Sequence, residues 1–195
     1  MKTALCLAAT LISLPMLGGD GSTPPSPALQ ESKKTAKPPS IIAFNRQMYE
    51  GVKAILLRSA EKMPEDAYAF RPTESVRSFA QILGHVADTQ YLFASKVLGE
   101  PYPKLQIEKT RTTNTELIAA LKEAFAYCDR AHAGMTEVSA VEGAKLFAGE
   151  MPKLGILTTN NLHSVEHYGN LVTYMRMKGI VPPTSDPAFM QELTK

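Results

Sequence analysis

Prolines and glycines divide this chain into four long segments with a helical period, and that punctuation constrains the fold more than any composition figure. Ser40 is placed to cap a helix running to about Met63, with Ile41, Phe44, Met48, Val52, Ile55 and Leu56 on one stripe and Pro64 ending it. The stretch from Pro64 to Glu74 contains Arg71 and Pro72 and reads as non-helical. Ser75 then opens a second helix reaching about Leu98, closed by Gly99 and Pro101. After an irregular stretch from Pro101 to Arg111, Thr113-Asn114-Thr115-Glu116 matches a capping box. It starts a helix carrying Leu117, Ile118, Leu121, Ala124 and Phe125 that fades near Gly134. Residues 138–149 are poorly patterned, and the last long helix runs from about Lys153 to Lys178, ended by Gly179 and Pro182-Pro183. No alternating strand pattern persists. Four long helices joined by loops of roughly ten residues or more predict an all-α protein, a four-helix bundle.

The last helix carries an unusual seam. Ile156, Asn160, His163, His167, Asn170 and Tyr174 recur at spacings of three and four, along a line that a bundle normally fills with Leu and Ile. Polar groups buried there without partners cost about 1–3 kcal/mol each, and a metal ion with its water would supply the partners. A seam facing solvent would need none, but Leu162, Val165, Leu171, Val172 and Met175 crowd the remaining faces. His163 and His167 stand one turn apart on one face, so both imidazoles can reach one ion. His85 falls on the apolar side of the second helix, among Phe79, Ile82, Val86, Leu92 and Phe93. Alone it reads as a hydrogen-bonded core residue. With the pair it completes a three-histidine set, which leaves a coordination position open for water or substrate. Asp88, Gln81, Asn160 and Asn170 are the candidate acceptors for the outer ring nitrogens. His132 reads instead as a cation favouring the end of its helix. His163 to His167 also matches H-x-x-E-H, the inverted zinc-peptidase motif, with Glu166 as general base. That motif needs a further acidic ligand, and only Asp186 and Glu192 follow the helix.

A net charge of +2 with scattered basic residues argues against a nucleic-acid or membrane-surface role, and no stretch is apolar over the ~20 residues that span a bilayer. Residues 1–20 read as an export signal, with Met1-Lys2 before the apolar run Ala4 to Leu14, which places the mature protein in the periplasm or outside the cell. Residues 21–39, rich in Pro, Ser and Lys, form a low-complexity tether, and residues 40–195 form the folded domain. Cys128 is then the only cysteine left and reads as a small buried apolar residue on a helix.

Arg71-Pro72, Ser75 to Val86 (SVRSFAQILGHV) and Asn161 to Gly179 (NLHSVEHYGNLVTYMRMKG) resemble the DinB-like superfamily of four-helix-bundle metalloproteins, over roughly residues 42–183. The resemblance implies a divalent cation, zinc or nickel among others, held by one histidine of the second helix and two of the last. Here those are His85, His163 and His167. It also implies a frequent homodimer, and an activity that ranges from thiol transfer to hydrolase-like and isomerase-like chemistry. The chain departs from the common pattern in having no tryptophan and in carrying the apolar leader. Three functions stay open. The first is a metal-dependent hydrolase or transferase acting on a small molecule, with Glu166, Asp88 and Tyr174 as candidates for moving protons. The second is a non-catalytic, metal-stabilised helical binding module. The third is a helical interaction domain whose histidines are core residues.

Overall fold

The computed structural model describes residues 39–193; the expected leader (1–20) and all but the last residue of the tether (21–39) lie outside the described residues. Helix α1 (Ile41–Lys62) begins at Ser40, whose hydroxyl accepts the Ala43 N–H. Its buried face is Asn45, Tyr49, Val52, Leu56, Ser59 and Ala60, so the helix is rotated from the stripe read in the sequence. Ile41 and Phe44 stay 68% and 48% exposed. Polar pairing explains the rotation. Asn45 Nδ2 donates to Thr158 Oγ1 at 2.8 Å and the Tyr49 hydroxyl donates to Asp129 at 2.7 Å, which satisfies these donors and offsets part of the penalty for turning them inward.

Helix α2 (Phe79–Leu98) starts later than expected. Ser78 and Gln81 form a reciprocal capping box, while the Ser75 hydroxyl pairs with Thr73 in the preceding turn. Gly99, at a φ of 71°, closes α2 in the left-handed conformation that glycine adopts without strain. Helix α3 (Ile107–Thr110) is a single turn within the stretch expected to be irregular. Helix α4 (Asn114–Ala133) has the Thr113–Glu116 capping box and ends at Gly134, as expected. After the short α5 (Glu137–Ala140), β1 (Gly143–Leu146) pairs antiparallel with β2 (Gly149–Pro152), Leu146 opposite Gly149. This hairpin corrects the strandless reading. Its strands are only four residues each, and Leu146 is their one buried residue, so no alternation marks them in the sequence. Helix α6 (Lys153–Met177) matches expectation, and α7 (Pro187–Leu193) adds a short C-terminal helix anchored by buried Phe189.

Helices α1 and α2 each pack against both α4 and α6, so α1 and α2 stand at opposite corners of a four-helix bundle. Tyr49, Leu56, Phe79, Leu83, Leu117, Leu121, Phe125, Ile156, Leu157 and Leu171 fill its centre, all under 2% exposed. Each such side chain contributes about 1.5–3 kcal/mol through burial. No helix among the described residues is long and apolar enough to cross a membrane.

Candidate metal centre

The α2–α6 contact brings His85, His163 and His167 together, with one ring nitrogen of each within 4.8 Å of the others. His163 Nε2 lies 3.2 Å from His85 Nε2 and 3.1 Å from His167 Nε2. The second pair follows from helical geometry, since residues four apart stack on one face.

The outer nitrogens show which way the inner ones point. His85 Nδ1 lies 2.9 Å from Glu108 Oε2, a carboxylate that accepts a hydrogen bond, so Nδ1 carries a proton and, in the neutral ring, the Nε2 lone pair faces the centre. Thr89 donates its hydroxyl proton to the Val86 carbonyl at 2.9 Å, which leaves its oxygen to accept from His163 Nδ1 at 3.5 Å. His163 therefore also turns a lone pair inward. Two lone pairs 3.2 Å apart repel unless a cation sits between them. Ligand nitrogens on a tetrahedral ion with bonds of about 2.0–2.1 Å stand roughly 3.3 Å apart, close to the two spacings made by His163. The three histidines therefore fit a single metal ion.

Burial, with the neighbouring His163 and His85, pushes the His167 imidazole down to about 4. Burial and His85 likewise lower His163, partly offset by Glu166. Both rings are thus neutral at neutral pH, the form that binds metal. Burial opposes ionisation of Glu108, but hydrogen bonds from Arg77 and His85 outweigh it and hold the carboxyl below its ordinary range.

Glu108 reaches His85 because α3 is clamped onto α2. A side-chain carbon at Gly84 would lie 2.6 Å from the Glu108 Cα, so only glycine lets the two backbones approach this closely. One turn on, the Asp88 carboxylate accepts the N–H groups of Ile107 and Glu108 at 2.9 and 3.0 Å and caps α3. Buried Ile107 pins the turn from below. On the outer side, Arg77 Nε donates to Glu108 Oε1 at 2.8 Å.

The other residues singled out in the sequence take different places. Asp88 is the anchor of α3, and Glu108 rather than Asp88 is the acceptor at His85. Gln81 is engaged in the α2 cap. Asn160 donates to Gln90 at 2.7 Å and to the Cys128 sulfur at 3.5 Å, away from the histidine nitrogens. Asn170 and Tyr174 line a cavity of about 550 Å³ that also touches His167, Glu108, Arg71 and Arg77. The Tyr174 hydroxyl donates to the Arg77 carbonyl at 2.9 Å, and burial raises its pKa. Glu166 is exposed on the outer face of α6. Cys128 is fully buried, its thiol pushed up to about 12 by burial, which suits an inert core residue. His132 differs from expectation. It is buried against Tyr49, ring centroids 4.0 Å apart, and burial lowers it to about 4, so it is neutral rather than a helix-end cation.

Glu108 escaped the sequence reading because it lies in a one-turn helix with no periodicity. Its one signal in the sequence is Gly84, a glycine inside a helix immediately before a candidate ligand, which marks a close backbone approach.

The family model described as the DinB superfamily matches residues 48–171, well over half of the chain. Among solved structures, a DinB-like protein from Bacillus cereus superposes with a TM-score of 0.65 at 13% identity, covering 73% of this chain and 95% of its own. A DinB-like protein from Bacillus subtilis gives a TM-score of 0.57 at 20% identity, covering 69% of this chain and 92% of its own. No curated protein matches the chain.

Proposed function

We propose, for a chain that belongs to the DinB superfamily, that it is a metal-dependent hydrolase or transferase built on His85, His163 and His167. The carrying observation is that one ring nitrogen of each lies within 4.8 Å of the others, beside a cavity with His167 in its wall. Among the described residues no fourth His, Cys, Asp or Glu joins the group, which favours an open coordination position over a closed structural site. Zinc or nickel suits an all-imidazole set. A bound divalent ion supplies a water of lowered pKa, or polarises a substrate oxygen, or activates a thiol.

The chain's own residues prepare that chemistry. Glu108 holds His85 in the tautomer that presents Nε2, and Thr89 does the same for His163. Tyr174, neutral and donating to the backbone, fixes the Arg77 segment and shapes the cavity wall. Asp88 is committed to two backbone amides, so its part is structural support. Glu166 reaches the site through its field on His163. The apolar leader supports export to the periplasm or beyond as the setting for this activity.

The test is a turnover screen of zinc-loaded and chelator-stripped protein against carboxylic esters, phosphoesters and thiol-transfer acceptors. The reading predicts activity that needs metal and vanishes in His163→Ala. Activity that is identical in stripped protein and in His163→Ala would contradict it.

A further inference from the structure

A second cavity of about 460 Å³ adjoins the one beside His167, and the two share Arg71, Gln81 and Glu108 in their walls. Together they form a groove that leads from His167 across the clamped α3 turn to Thr112. Its charge is lopsided. Four cations line it, Arg71, Arg77, Lys109 and Arg111, against the single carboxylate of Glu108. The whole chain carries a net charge of only +2, so this concentration is local.

The acid in the groove is already spent. Glu108 accepts from Arg77 on one oxygen and from His85 on the other. The remaining cations are weakly held. Arg71 pairs with Glu74 at 3.7 Å, beyond hydrogen-bond reach, and the Glu74 side chain is 95% exposed. Arg111 pairs with Glu116 at 3.6 Å across open solvent. Lys109 has no side-chain partner among the described residues. A concave groove with unneutralised cations focuses an attractive field on an incoming anion. Guanidinium and ammonium groups form charge-assisted bonds to oxyanions.

We infer that this groove binds an oxyanion, a carboxylate or a phosphate, carried at the far end of the substrate. Arg71, shared by both cavities, and Lys109 are its principal contacts, while the reacting end lies at His167. Only the placement of the reacting end rests on the metal-dependent reading above; the anion subsite stands without it.

The test titrates the full chain, stripped of metal, with inorganic phosphate and separately with succinate at low ionic strength, following backbone amide NMR shifts. Saturable binding of at least one anion is expected, with shifts centred on residues 77–81 and 108–112. Arg71→Gln and Lys109→Gln should each weaken it about tenfold, the value of one charge-assisted contact. Lys145→Gln, on the exposed hairpin, should leave it unchanged. Binding of phosphate alone or succinate alone supports the inference and names the chemistry. No saturable binding of either anion, or equal weakening by Lys145→Gln, overturns it. A parallel zinc titration separates the two readings. Zinc uptake without anion binding removes the subsite and keeps the metal centre; anion binding without zinc uptake does the reverse.

Discussion

His132 on α4 and His167 on α6 are both buried imidazoles, and burial lowers both to about 4. By depth and protonation they are alike. Each also has one buried ring nitrogen without a hydrogen-bond partner among the described residues. Their neighbours differ. His132 stacks flat on Tyr49 at an interplanar angle of 19°. His167 faces His163 at 3.1 Å, and His163 faces His85 at 3.2 Å, nitrogen to nitrogen. A lowered pKa therefore reports burial, with neighbouring imidazoles adding to it at His167, and does not by itself mark a site. Convergence of ring nitrogens is what lets one cation be held, and among the described residues the α2–α6 face has it.

The largest effect should separate these two regions completely. His163→Ala or His167→Ala should cut zinc affinity by more than about 100-fold, since each removes a coordinating nitrogen, and His132→Phe should leave it unchanged. Competition with a chromophoric chelator would measure this. A loss of affinity in His132→Phe matching that in His163→Ala would dissolve the distinction.

Acid stability reads the other half of the comparison. His132 has a folded-state pKa of about 4 against roughly 6.5 unfolded, so the unfolded chain binds the extra proton between those values. Stability is unaffected above about pH 6.5 and falls as the pH drops toward 4. His132→Phe in metal-free protein should remove roughly 2–3 kcal/mol of that acid loss, read from urea unfolding at pH 7 and pH 4.5. An unaltered pH slope would show that His132 is not held neutral.

The clamp comes next. Gly84→Ala drives a carbon toward the Glu108 Cα and should destabilise the fold by about 1–3 kcal/mol while lowering zinc affinity. The same substitution at Gly51, with nothing within 4 Å, is the control and should stabilise α1 slightly. The smallest effect is Glu108→Gln, which keeps the shape but loses the charge behind His85. Zinc affinity should fall about tenfold, and full retention would show that the carboxylate does not tune the ligand.

Much of this architecture is legible in the sequence because its helices are long and punctuated by strong signals. Pro64, Gly99, the Thr113–Glu116 box and Gly179 each act through local backbone chemistry, and the elements they bound are found. Where two local signals compete, the reading slips: Ser75 and Ser78 can both cap a helix, and only the partner Gln81 decides for Ser78. The α1 face differs from the apolar stripe because hydrophobicity cannot foresee that Asn45 and Tyr49 find partners across the bundle on Thr158 and Asp129. The three-histidine cluster was legible through its helical spacing. Glu108 was not, because its position depends on a one-turn helix folded back onto α2, a contact that leaves no period. The groove along Arg71 and Lys109 is hidden for the same reason, since it joins residues from two separate connections, before and after α2, with the faces of α2 and α6.

The most direct measurement is metal content by elemental analysis of wild type, His85→Ala, His163→Ala and His132→Phe, purified in parallel under one metal supply. Near-stoichiometric divalent metal in wild type and His132→Phe, lost in the other two, is the predicted result. Trace and equal metal in all four would contradict it and return His85, His163 and His167 to the status of core residues like His132.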